Sequence, residues 1–591
     1  YDPVSGVINE IPNDPTNDQG VSFSITKSFL QDKGGVVWIG SSLGLNKLDP
    51  LRKPFHNLTR RSNLPDALSS NVVKSIYMDT PGNIWLGTLA GLDKYFPETG
   101  KIQNIMLNTN DRVMVETIQM DSRGIMWLGS SSGPIEYNPS TGTSVQHREE
   151  KGIPRRTLQA PIKSIIEDQS GSMWFATQGF GLYSYHLKNE LFAQDPRMEP
   201  YYIEDILERP EDDGRYLWLG GNIFGLVQYD KQLKTWVCDY MSNSQVPNSI
   251  TQNRVYDIFQ TKSGDVWLGT NHGLDNAIFH ATGRGAMVAD QAGFHGFNNL
   301  NSSSTAYTAV TFQNYHSPDD SRYMEVKSII EDEHGILWLG TNLGLYSFDP
   351  ITRAFRNYTR FDGLPGDDFS PRASVKAFDG KLYFGTTEGM TSFYPDSLID
   401  NRYIPPIVLT DFKVNHQAVS ILSRAESPGE TGFTLPGHIS RLKEVTLSYR
   451  ENVFSIDFAA VDYHSPEKNK YAYRLEGFEE DWIYTNASDR TATYTNLDPG
   501  DYVFRVKGSN NDGVWNEEGI SLKVSILPPW WETQLAYVGY FLILGGLIVT
   551  FWHFQLSKIK LRHQVELEHL AAEHYHELDE HKSRFMANIS H

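Results

Sequence analysis

Eight copies of a Trp-aliphatic-Gly unit, most followed by Gly-Leu six or seven residues after the Trp, run through the first four hundred residues. The anchors are Trp38, Trp85, Trp127, Trp174, Trp218, Trp267, Trp338 and, in a drifted last copy, Tyr383, with partners such as Gly44, Gly91, Gly273 and Gly344. Most lie 42 to 49 residues apart, the length of one four-stranded propeller blade.

The cleanest copy shows the unit. Residues 325–332 alternate as a strand, Asp332-Glu333-His334-Gly335 turns, and 336–340 returns as an apolar strand. A second turn at 341–344 starts a strand ending at Asp349-Pro350, and 354–358 supplies a fourth, outermost strand. An Asp six residues before the Trp recurs as Asp32, Asp79, Asp121, Asp168 and Asp332, and a Gly three before it as Gly35, Gly82, Gly124, Gly171, Gly264 and Gly335. Asp accepts local backbone hydrogen bonds in turns, and Gly reaches positive φ at no steric cost. A Trp at the same place in every blade is expected to pack between neighbouring sheets, because stacked repeats bury a continuous core. Ligand-binding residues should instead break the repeat. Phe180 and Phe224, beside one-residue insertions in copies four and five, and His272 are the candidates.

Eight motifs do not require an eight-bladed ring. Tyr1-Asp2-Pro3 matches the strand ends Leu48-Asp49-Pro50 and Phe348-Asp349-Pro350, and the chain opens without an initiator Met or a signal peptide. The expectation is a fragment cut inside a longer array, in which copies two to eight form a seven-bladed propeller and copy one belongs to an upstream propeller. The wide interval between Trp267 and Trp338 holds a Ser- and Asn-rich stretch at 298–304, read as a surface insertion.

Composition narrows the function classes. With 591 residues, 39% apolar and 12% aromatic, the chain can fill several cores. A net charge of −20 argues against a nucleic-acid-binding surface, which needs clustered Lys and Arg. The single cysteine, Cys238, permits no intramolecular disulfide.

After about Pro395 the repeat stops. Short alternating strands at 407–409, 445–447, 454–458 and 503–506 suggest a β-sandwich. Within it, Lys470-Tyr471-Ala472-Tyr473-Arg474-Leu475-Glu476-Gly477-Phe478, then Asp481-Trp482, then Tyr494-Thr495-Asn496-Leu497-Asp498-Pro499-Gly500-Asp501-Tyr502 form a dense aromatic pattern. This segment resembles the Y_Y_Y domain, an immunoglobulin-like module, and the upstream copies resemble the regulator-propeller repeats of the same sensor proteins. Tyr471, Tyr473, Tyr494 and Tyr502 are then expected to be core and corner residues.

Pro528-Pro529-Trp530-Trp531 leads into residues 534–554, which hold no Asp, Glu, Lys or Arg. About 20 such residues cross a bilayer. The Trp pair and Tyr537 at one end and Trp552 at the other occupy aromatic-belt positions, and Lys558, Lys560 and Arg562 crowd the far flank, which the positive-inside rule places in the cytoplasm. Residues before 534 are then periplasmic. From Leu556 onward the tail lacks Gly and Pro, and Leu567, Leu570, His574, Leu578, His581 and Phe585 follow a three-four spacing. That seam predicts a coiled-coil homodimer, with a solvated single helix as the alternative.

The last residues, Lys582-Ser583-Arg584-Phe585-Met586-Ala587-Asn588-Ile589-Ser590-His591, resemble the phosphoacceptor box of sensor histidine kinases. The resemblance makes His591 the phosphorylated residue, a role for which imidazole is suited as a nucleophile at neutral pH. It also implies ATP and Mg for the full-length kinase and a receiver domain in the same or another chain. No Walker-type phosphate loop is present, so this segment itself needs no cofactor, and no metal set or direct nucleic-acid contact is expected.

The segments are therefore 1–398 propeller repeats, 399–528 Y_Y_Y module, 534–554 membrane helix, 555–582 linker helix and 583–591 the start of a phosphoacceptor domain. Together they resemble the sensor half of a hybrid two-component system of the Bacteroidetes type. That implies detection of an oligosaccharide and control of genes for its use. A membrane-anchored carbohydrate-binding protein or a propeller enzyme is the alternative, although no carboxylate pair stands out by spacing. A third reading keeps the sensor and exchanges the cytoplasmic output.

Overall fold

The computed structural model describes residues 25–42, 44–60, 67–109, 112–151, 153–194, 200–280, 309–317, 324–421 and 433–589. Tyr1-Asp2-Pro3, the 298–304 stretch and His591 lie outside them. The chain divides into two compact units, 1–400 and 401–591.

In the first unit, among the described residues, seven four-stranded antiparallel sheets follow one another as blades at 73–105, 115–146, 162–194, 203–240, 255–315, 326–358 and 369–393. Their innermost strands neighbour each other in cyclic order, and Phe369–Lys376 of the seventh blade lies beside Val73–Met78 of the first. The ring closes through an exchanged strand. His56–Leu58, which precedes the first blade in sequence, pairs with Gly389–Phe393 as the outermost strand of the seventh, with Met390 opposite Leu58 and Ser392 opposite His56. The expected seven-bladed ring of copies two to eight is what the structure contains. Copy one forms a separate three-stranded sheet, Thr26–Gln31, Val37–Ser41 and Gly44–Leu48, which leaves Phe29, Leu30 and Leu45 each about two-thirds exposed. The long interval before Trp338 costs no blade, since Ala309–Tyr315 returns as the fourth strand beside Gly273–His280.

Each repeated residue has a mechanical reason. Trp85, Trp127 and Trp218 are buried and meet an aromatic ring on the third strand of the next blade: Trp85 on Tyr137 at 5.7 Å, Trp127 on Tyr185 at 4.9 Å, Trp218 on Phe279 at 4.9 Å. Trp267 meets Phe348 and Trp338 meets Phe393 in the same way. The drifted Tyr383 keeps the place, packing in one cluster with Tyr95 of the first blade. A buried indole N–H needs an acceptor. Asp79, Asp121, Asp168 and Asp332 supply it at 3.0, 3.0, 2.8 and 2.9 Å. Their other oxygen accepts a backbone N–H of the turn, as from Ile125 to Asp121 at 3.0 Å. The same carboxylate thus fixes both the turn and the Trp. Gly82 completes that turn at φ 87°, and the Gly of the Trp-aliphatic-Gly unit allows close approach. A Cβ on Gly87 would lie 2.2 Å from Ser75 Oγ and 2.7 Å from the Val115 carbonyl of the next blade.

The second unit opens with a β-sandwich. One sheet holds Ile407–Val414, Gln417–Ala418, Phe454–Ala460 and Thr491–Tyr494, and the other Glu444–Ser448, Trp515–Leu527, Gly500–Ser509, Lys470–Glu476 and Ile483–Asn486. Phe412, Phe454, Phe458, Leu475, Phe504 and Val524 fill the space between them. Tyr471, Tyr494 and Tyr502 are buried and each hydroxyl is satisfied. Tyr471 Oη accepts from Ala460 N (3.2 Å), Tyr494 Oη donates to Glu479 (3.2 Å) and Tyr502 Oη donates to the Asp498 carbonyl (2.9 Å). Tyr473 is half-buried against Phe458 and Phe504. One helix, Gln534–Ile589, follows without a break over 56 residues. It is long and apolar enough to cross a membrane, with mean hydropathy 1.9 over its most apolar window and none of that window buried.

Candidate ligand site at the propeller mouth

In every blade the end of the second strand pairs with the start of the innermost one, so the turn between strands two and three lies at the same end of the ring as the first residues of the inner strands. There the inner strands bulge. Between Val73 and Ser75, Val115 and Thr117, Ile162 and Ser164, Ile203 and Asp205, Val255 and Asp257, and Val326 and Ser328 the register skips one residue. A bulge leaves one residue unpaired and re-aims it. The residues so placed are Lys74, Glu116, Lys163, Glu204, Tyr256 and Lys327. Several link neighbouring blades: Lys163 pairs with Glu116 at 3.2 Å, Arg254 with Glu204 at 3.3 Å, and Lys327 with Asp368 at 2.6 Å.

The seventh blade departs from this pattern. Its inner strand is in register at Phe369 and again only at Ser374, opposite Thr386 and Phe384, so three extra residues are accommodated where the other blades fit one. Arg372 sits in this loop with φ 54°, a left-handed conformation that is costly for a residue with a Cβ. Its guanidinium reaches across the ring axis. Nη1 donates to the Tyr256 carbonyl of the fifth blade at 2.6 Å and Nη2 to the Lys163 carbonyl of the third at 3.0 Å. Nε lies 4.0 Å from Asp205 Oδ1 of the fourth.

Below Arg372 two carboxylates replace the small polar residues of other blades. Asp205 and Asp257 stand opposite Gly220 and Gly269, the position held by Ser75, Ser164 and Ser328 elsewhere. Asp205 accepts from Ser164 Oγ and Ile258 N, both at 2.8 Å. Asp257 accepts from Ile329 N at 2.6 Å. Burial, then the neighbouring Asp205 charge, holds the Asp257 carboxyl well above the usual carboxylate range, with Arg372 opposing. Burial also raises Asp205, and Arg372 draws it back. Each carboxyl is thus favoured in its protonated form by burial, Asp257 further so by the Asp205 charge, while Arg372 favours the ionised form of both. Burial pushes the Tyr256 phenol up to about 12, which keeps it a neutral donor.

The candidates from the sequence fall on three consecutive blades at this end. Phe180 is half-buried in the third blade's turn, after Gly179, which lies under the exposed ring of Tyr202. His272 is half-buried in the fifth blade's turn, its backbone N–H donating to Thr270 Oγ1 at 3.1 Å. Phe224 is different. It is only 5% exposed, with its ring against Tyr201 and Trp236, in a hole left by Gly221, where a Cβ would come within 2.1 Å of the ring. Phe224 is therefore a core residue, and Ile223, 67% exposed, is what that turn presents. Among the described residues no group of three His, Cys, Asp or Glu could hold a metal ion. Arg372, Asp205 and Asp257 escaped the sequence reading, although Asp205 and Asp257 do break the Ser pattern one strand before the Trp motif.

Two family models match the chain: the two component regulator propeller at 67–90 and 249–272, and the Y_Y_Y domain at 462–527. Histidine kinase P4 of Formosa agariphila is 30% identical over 455 residues, which is 73% of this chain and 32% of that protein. The chain thus spans about a third of the length of this curated relative. The extracellular domain of a protein assigned to a hybrid two component system of B. thetaiotaomicron has the same fold, with a TM-score of 0.63 and 24% identity over 87% of this chain and 63% of that one. With regulator-propeller repeats and a Y_Y_Y domain, followed by one helix long and apolar enough to cross a membrane, the chain resembles the propeller sensors of hybrid two-component systems.

Proposed function

We propose that this chain detects an oligosaccharide at the propeller mouth and transmits its binding through the β-sandwich and the membrane helix to His591, the phosphoacceptor. In this reading residues before 534 are periplasmic, the helix beyond 554 is cytoplasmic and pairs with a second copy, and the phosphoryl group passes to a receiver domain that controls glycan-use genes. ATP and Mg serve the kinase domain of the full-length protein.

The observation that carries the ligand assignment is Arg372. It is the point at which one blade breaks the sevenfold pattern, in a costly backbone conformation, at the centre of a ring of charged and phenolic side chains. Strain of this kind marks ligand sites. Guanidinium, ammonium and carboxylate groups hydrogen-bond sugar hydroxyls, and half-exposed rings such as Phe180 and Tyr202 offer apolar faces to pyranoses.

Calorimetric titration of the chain with a panel of oligosaccharides tests this. A ligand should bind wild type and lose at least tenfold in affinity, about 1.4 kcal/mol, on Arg372→Ala, with Phe180→Ala weaker and Ile351→Ala, far from the mouth, unaffected. A ligand that binds wild type and Arg372→Ala equally would place the site elsewhere. For the output, full-length protein with His591→Gln should fail to incorporate phosphate from ATP.

A further inference from the structure

The β-sandwich carries an aromatic end that faces the membrane helix. Glu444–Ser448 runs parallel to Trp515–Leu527, with Ser448 opposite Leu527, so both strands finish at the same end. Gly500–Ser509 starts there, Gly500 opposite Ile526, and Lys470–Glu476 finishes there, Glu476 opposite Val503. The connections after Ser448 and Glu476 and before Gly500 therefore all lie on the side from which the chain enters the helix.

That entry is not a loose tether. Pro529 leads into a single turn, Trp530–Glu532, Thr533 Oγ1 donates back to the Trp530 carbonyl at 2.8 Å, and Tyr537 N already donates to the Thr533 carbonyl at 3.1 Å. The sandwich is pinned to this turn by a ring contact: Tyr449, in the connection after Ser448, packs on Trp531 at 5.2 Å and 70°. Trp531 packs in turn on Trp530 at 5.7 Å. The same end leaves Trp530 71%, Phe478 57%, Leu527 53% and Trp531 39% exposed. Arg450 is exposed, its Nε donating to Tyr449 Oη at 3.1 Å.

We propose that this end of the β-sandwich, built from Tyr449, Arg450, Phe478, Leu527, Trp530 and Trp531, rests in the headgroup layer of the bilayer that the helix crosses. Its occupant is the lipid surface. Three features select it: continuity with an uncharged membrane span beginning at Gln534, aromatic residues of the type that favours the interface, and an arginine positioned to reach lipid phosphates. Large apolar side chains grouped at one end of a module are costly in water and stable at this depth. The consequence is that the sandwich cannot tilt over the membrane without withdrawing Tyr449 and Trp531 from it. A rearrangement of the sandwich is then passed directly to the first turn of the helix. This inference rests on the membrane span and not on the identity of any ligand.

Spin labels on the full chain in lipid nanodiscs provide the test. Phe478→Cys and Arg450→Cys report the proposed surface, both replacing exposed side chains. Ser488→Cys lies at the opposite end of the sandwich, and Phe541→Cys lies within the span. The native Cys238 is buried. At 478 and 450 the label should show a ratio of oxygen to nickel-chelate collisions several-fold above that at 488, and below that at 541. Ratios at 478 and 450 equal to that at 488, with 541 still protected, would overturn the proposal. They would leave ligand binding at the propeller untouched.

Discussion

At the scale of single residues the propeller mouth depends on an unequal pair of acids. Asp257 holds its proton because it is buried beside Asp205. A carboxyl whose folded pKa lies above its unfolded value near 3.8 contributes stability that is full below that value. The contribution declines as pH rises toward the folded value, because the unfolded state releases the proton first. Asp257→Asn keeps an acceptor for Ile329 N and a donor toward Asp205, and removes the titration. The propeller transition of wild type should therefore lose stability, relative to Asp257→Asn, as pH rises from about 4, while the two converge at acid pH. Thermal unfolding across a pH series reads this, and parallel curves would contradict the raised Asp257 carboxyl. Arg372→Ala, which removes the opposing cation, should widen the gap. This site was poorly legible in the sequence. Asp205 and Asp257 look like ordinary strand carboxylates until the register shows them opposite the motif glycines, and Arg372 lies within the irregular stretch between Phe369 and Ser374, in the copy whose Trp has drifted to Tyr383. Phe224 misled for the opposite reason: an insertion beside Gly-Phe reads as an exposed loop, whereas Gly221 makes room for the ring inside.

At the scale of elements, the blades were legible because one set of contacts recurs. Trp needs a partner ring and an indole acceptor, and both occur at fixed distances in the chain. Truncating Trp127, which is fully buried against Phe175 and Tyr185, should cost about 3–5 kcal/mol. Asp121→Ala, which strands both an indole N–H and a turn N–H, should cost about 1–3 kcal/mol. Denaturant titration followed by tryptophan fluorescence measures both. Gly87→Ala should be as severe as the Trp truncation, since its Cβ would meet the Val115 carbonyl at 2.7 Å and force two blades apart. The exchanged strand was not legible. Nothing local to His56-Asn57-Leu58 announces a partner more than three hundred residues away, and the pairing follows only from closing the ring. Phe55, wedged between Tyr358 and Phe393 at 5.9 and 5.1 Å, anchors that strand, so Phe55→Ala should destabilise the whole propeller and not its first residues alone.

At the scale of the whole molecule the long helix bears on how the proposed signal would cross the membrane. Its 56 residues extend about 84 Å at 1.5 Å per residue, of which the bilayer core takes about 30 Å. A helix projecting some 50 Å beyond the membrane, with Leu567, Leu570, Leu578 and Phe585 each more than half exposed, leaves an apolar seam uncovered. Single helices of this composition gain little from propensity alone and are stabilised by packing an amphipathic face. Pairing with a second copy along that seam is the arrangement the spacing predicts. Cysteines introduced at Leu567, Leu570 and Leu578 should crosslink readily in membranes, and cysteines at Glu568 and Asp579, off the seam, should not. A ligand can shift the helices only if it binds two arrangements with different affinity, so a saturating ligand of the proposed mouth site should redistribute crosslinking between seam positions by several-fold without abolishing it. An unchanged pattern with ligand bound would mean that the signal does not travel by relative motion of the paired helices. Crosslinking spread evenly around the helix would count against the paired seam itself.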